Sequence, residues 1–155
     1  MSSKKTTIHE FDPQIYPCRL WVGKQSPFEE VEERFWTLTT DYEKTPIEEA
    51  EYIRNRFVVA TCYPVVDKAE GWLGVLMVIH LPKQMGVGKI AHEATHVTDY
   101  LWERLGMEGY SFNEGEPRAY FTEWVAHCID FVRKYKEVKH GDRSIESEPS
   151  NKEDL

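Results

Sequence analysis

"GKIAHEATHVTDYL", residues 88–101, is the stretch from which the rest of the chain is read. It sets two histidines four apart, His92 and His96, with Glu93 directly after the first. In an α-helix each residue turns by roughly 100°, so positions i and i+4 share a face. His92 and His96 therefore project side by side and can grip one ion. Glu93 lies beside them without sharing their direction. Ile90, Ala94, Val97, Leu101 and Leu105 recur at helical spacing nearly opposite the histidines. The pattern predicts a helix over about 89–105, stopped at Gly106, with one side in a core and the other open to a cleft or solvent.

The segments before it read as strands and short helices. Residues 6–22 mix β-branched and aromatic residues with two prolines, which predicts strands at a sheet edge or separated by a turn. "SPFEEVEERFWTL" reads as a helix opened by Ser26, Pro27 and Glu29 as a capping box, with Phe28, Val31, Phe35 and Leu38 on its apolar side. "TPIEEAEYIRNRF" repeats that grammar from Thr45, Pro46 and Glu48, with Ile47, Ala50 and Ile53 expected inward. "FVVATCYPVV" (57–66) and "WLGVLMVIH" (72–80) are β-prone runs joined by the turn "DKAEG", a natural strand pair. After the histidine helix and a loop, a last long helix is expected over about 116–137. The expectation is one α+β domain over 1–138, with a polar, solvating tail over 139–155.

Composition narrows the function classes. The 155 residues are 41% apolar and 13% aromatic, a globular balance with enough chain for a core. A net charge of −8 argues against nucleic acid or an anionic membrane as partner, and "RKYK" at 133–136 is too short to reverse that. The N-terminal residues hold no apolar export segment, and no run reaches membrane-spanning length. Cys18, Cys62 and Cys128 are odd in number and widely spaced, and read as reduced, buried thiols of a cytoplasmic protein.

The chemistry of the pair points to a divalent cation. Zn²⁺ suits neutral imidazole, and Glu93, offset from the pair, is placed to address a metal-bound water as general base. Asp99, three residues after His96, is either a second partner that orients an imidazole or a solvated acid. A catalytic zinc usually takes three protein ligands plus water. Candidates for the third lie downstream. Glu116, Tyr120, Glu123 and His127 fall on one line of the last helix, opposite Phe121, Val125, Cys128, Ile129 and Val132. That polar line is expected to face the histidine helix across a cleft. Glu116 begins the helix, although Pro117 after it also suits a first-turn acid. Glu114 lies on the loop, Glu123 and His127 fit a supporting role, and Tyr120 is a candidate oxyanion donor or a half-buried tyrosine. His9, His80 and His140 have no partner at ligand spacing and read as structural or exposed.

"HEATH", followed twenty residues after His96 by "GEPRAYFTEW", resembles zincin metallopeptidases of the gluzincin type. The "EP-x-AY" start also resembles the glutamate helix of small single-domain zincins of bacteria and their phages. The resemblance spans roughly residues 57–130. It implies a zincin-like fold: a small mixed or antiparallel sheet, an active-site helix and a long C-terminal helix. It implies His92, His96 and Glu116 as zinc ligands and Glu93 as the base, hydrolysing a peptide or protein substrate. The chain lacks the extended second motif of larger gluzincins. An extended substrate is expected to add along the edge of the 72–80 strand. Two other readings stand beside this: a zinc-binding regulatory or interaction module without turnover, and a structural protein with incidental histidines.

Overall fold

A computed structural model describes residues 5–108 and 111–136. The expected tail, with His140, lies outside the described residues. The chain is a mixed α+β structure built on six strands: β1 (Ile8–Phe11), β2 (Arg19–Lys24), β3 (Phe35–Leu38), β4 (Lys44–Thr45), β5 (Ala60–Asp67) and β6 (Leu73–Ile79). They form one sheet in the order β1-β2-β6-β5-β3-β4. β2 and β6 run parallel; every other neighbouring pair is antiparallel. Among the described residues no helix is long and apolar enough to cross a membrane.

Side-chain alternation along the central strands loads both faces of the sheet. Leu20, Val22, Val75, Met77 and Ile79 point to one face, covered by α3 (Val87–Arg104) and α4 (Glu116–Lys134). Trp21, Leu76 and Val78 point to the other, covered by α1 (Phe28–Arg34) and α2 (Glu49–Asn55). A strand apolar nearly throughout, as 72–80 is, belongs in the middle of such a sandwich, and β6 is buried from Gly74 to Ile79.

Both short helices depart from the sequence reading. The first stops at Arg34, and Phe35–Leu38 leaves it as a strand against β5. Phe35 follows Val31 by four, so it satisfies a helical stripe. The Phe-Trp-Thr run also suits a strand, and ladder bonds to β5 decide for the strand. Neither capping box forms. The Ser26 hydroxyl is bonded to Thr7 at 2.7 Å, and Pro27 takes the cap position without a side-chain bond. Thr45 pairs with Thr37 in the sheet instead of opening α2, which starts four residues later. In α2 Tyr52 is the buried residue, while Ala50 and Ile53 are exposed. Tyr52 fills the larger volume and donates its hydroxyl to the Ser26 carbonyl at 2.6 Å.

The two long helices follow their periodicity. Ile90, Ala94, Val97 and Leu101 of α3, and Phe121, Val125, Cys128, Ile129 and Val132 of α4, lie in one core. α3 ends as its sequence signals. Gly106 takes φ +64°, Gly106 N–H donates to Glu103 and Met107 N–H to Trp102, the paired bonds of a Schellman cap. α4 then returns beside α3, with Trp102 and Phe121 rings 5.6 Å apart between them.

Candidate metal centre and its cleft

Burial of one side of α3 forces the other outward, and His92 and His96 are both exposed on it. Their Nε2 atoms lie 3.1 Å apart. Two imidazoles on one tetrahedral Zn²⁺, each about 2.05 Å from the metal, would hold their nitrogens about 3.3 Å apart. The pair therefore fits two corners of such a site, by donor chemistry and by spacing. Among the described residues, no three or more His, Cys, Asp or Glu side chains gather closely enough to hold an ion.

Glu93 turns away from the pair toward β5. Its Oε2 accepts a hydrogen bond from the Cys62 thiol at 3.3 Å. Beside it runs a cleft of about 540 Å³, walled by α3 on one side and by residues 60–64 of β5 on the other. His92, Glu93, His96 and Tyr100 line the helical wall; Glu51 and Asn55 of α2 also line the cleft. The pairing of β5 with β3 stops at Thr37↔Val65, so Ala60–Pro64 has no described strand on that side. Pro64 lacks an N–H and suits an unpaired edge. The free edge beside the histidines therefore belongs to β5. β6, expected from sequence to offer it, is flanked by β2 and β5 on its two sides. Its β-prone, fully apolar run is what places it in the interior.

The remaining site candidates sit as follows. Glu116 is the exposed first residue of α4. Asp99 is held by the guanidinium of Arg118, also in the first turn of α4. Tyr120 is 66% exposed and lines a separate apolar groove with Ile15, Tyr16 and Trp124, on the β1–β2 side of α4. Glu123 and His127 pair with each other at 3.6 Å on the exposed side of the helix. Tyr120, Glu123 and His127 of that polar line thus look outward, and Arg118 is bonded to α3's polar side. Glu114, expected on a loop, ends a short 3-10 turn (Phe112–Glu114) before α4 and is exposed. His9 packs its ring against Tyr135 at 4.7 Å, and His80 is buried with Nε2 2.8 Å from the Thr61 hydroxyl.

Three features of the cleft have no site role in the sequence reading, and Cys62, expected buried, is half-buried there. Tyr100 follows Glu93 by seven and so lies on its side of the helix, a signal the periodicity contains. Cys62 alternates with Thr61 and Tyr63, which puts it on the α3 face of β5 opposite Met77. Glu51 and Asn55 arrive through the packing of α2, and no local signal marks them.

Compared with protein-family models, with curated proteins and with solved structures, the chain finds no match in any of the three.

Proposed function

We propose that this chain is a zinc-dependent metallopeptidase of zincin type, with His92 and His96 as metal ligands and Glu93 as general base. The observation that carries the reading is the 3.1 Å separation of the two Nε2 atoms beside a cleft that Glu93 also lines. The third ligand proposed is Glu116. His96 and Asp99 share a side of α3, and Asp99 binds Arg118, two residues along α4 from Glu116. That tie supports bringing the start of α4 to the histidine side of the motif helix.

A bound zinc ion supplies Lewis acidity and lowers the pKa of its water to about 7. The chain's own residues do the rest. Residues 60–64 of β5 offer unpaired backbone to an extended peptide, which adds as a further strand and lies across the mouth of the site. Glu93, on the wall facing that strand, accepts the proton of the attacking water and returns it to the leaving amine. The cleft, about 540 Å³, has room for a few residues of extended chain, so a short or locally unfolded segment is the substrate class it suits.

The test compares wild type, His96→Ala, Glu116→Gln and Glu93→Gln for zinc content and for cleavage of a mixed peptide library read by mass spectrometry. The reading expects near-stoichiometric zinc in wild type and Glu93→Gln, reduced zinc in the two ligand variants, and cleavage by wild type alone. Zinc without any wild-type cleavage would make the chain a binding module. No zinc in any protein would remove the metal reading altogether.

A further inference from the structure

Cys62 stands at the back of the cleft on β5, with its thiol hydrogen directed to Glu93 Oε2 at 3.3 Å. Burial, with the carboxylate adding to it, pushes this thiol well above its ordinary pKa. It is therefore protonated at neutral pH and serves as a donor. A glutamate on a helix has three side-chain torsions, the last of them broad, so its carboxylate has little orientation of its own. A donor carried by a strand removes that freedom at one oxygen.

We propose that Cys62 is a positioning residue: its S–H anchors Oε2 of Glu93 against β5 and so leaves Oε1 turned toward the cleft beside His92 and His96. What Glu93 does there rests on the peptidase reading; the anchoring contact does not. The two carboxylate oxygens then have separate tasks, one held by the protein and one free to take a proton. The pairing also keeps a carboxylate from sitting unpartnered at the half-buried root of the cleft. No covalent step at sulfur is involved.

Two measurements test it. The S–H stretching band of Cys62 is isolated from those of the other two thiols by infrared difference between wild type and Cys62→Ala. A hydrogen-bonded thiol absorbs at lower frequency, and the band is expected to move up in Glu93→Ala. A band that does not respond to Glu93→Ala overturns the proposal. The second measurement is kinetic. Cys62→Val fills the position with apolar atoms and no donor; Cys62→Ser keeps a donor. The expectation is a kcat about tenfold lower in Cys62→Val at unchanged KM and zinc content, with Cys62→Ser within about threefold of wild type. The reverse order, an active Cys62→Val and a failing Cys62→Ser, would show that the side chain only packs, and would also overturn it. If the unaltered chain cleaves no peptide, the peptidase reading falls by itself. The infrared measurement then still decides whether the thiol holds Glu93.

Discussion

Replacing His80 by glutamine is expected to flatten the acid side of the stability profile. His80 follows β6, is 6% exposed and accepts or donates one bond at Thr61. Burial, with Arg56 adding charge repulsion, lowers its pKa from 6.5 to about 4. The unfolded chain takes up this proton near the ordinary value, and the folded chain resists it. Between those two values the unfolded state binds more protons, so stability falls as pH falls through the window and is intact above pH 7. Linkage over that separation gives about 2 kcal/mol lost at pH 5. His80 also lines a small pocket with Gln25 and Arg56 that admits solvent, which brings the figure to about 1–2 kcal/mol. The assay is urea unfolding at pH 7.5 and pH 5.0, with chelator present so that no bound metal adds to the stability of either protein. With a slope of about 2 kcal/mol per molar, acidification should move the wild-type midpoint about 0.5–1 M further than that of His80→Gln. Equal shifts in the two proteins would refute the claim that the imidazole is kept neutral by burial.

Two further expectations concern the scaffold that holds the cleft. Gly74 sits where β6 pairs with Arg19 of β2; a Cβ there would fall on the Arg19 carbonyl oxygen and lie 2.8 Å from the Trp21 ring. Backbone cannot yield as a side chain can, so Gly74→Ala should cost about 3 kcal/mol or leave the chain insoluble, read by thermal unfolding and yield. Tyr52→Phe removes the buried bond to the Ser26 carbonyl and leaves that acceptor unpaired, which should cost about 1–2 kcal/mol in the same unfolding assay. A loss below a few tenths would mean that water replaces the hydroxyl.

The sequence by itself determined the elements long enough to have a period. α3 and α4 were legible from their apolar stripes, β5 and β6 from β-branched runs around a turn, and the outward pairing of His92 with His96 from 3.6-residue geometry alone. These are local consequences of backbone repeat, and they need no partner to be read. Tertiary structure alone decided what the short elements became. Phe35–Leu38 fits helix or strand, and hydrogen bonds to β5 chose. Tyr52, not Ala50 or Ile53, turned inward, where its ring joins the core and its hydroxyl reaches the Ser26 carbonyl. The same holds for the cleft. Strand order, which no residue encodes singly, leaves the β5 edge beside Glu93 without a described partner strand. Packing of α4 against the sheet turns Glu123 and His127 to solvent and gives Asp99 to Arg118. A helix repeat says which side chains share a face; only the packing of that helix says what the face meets.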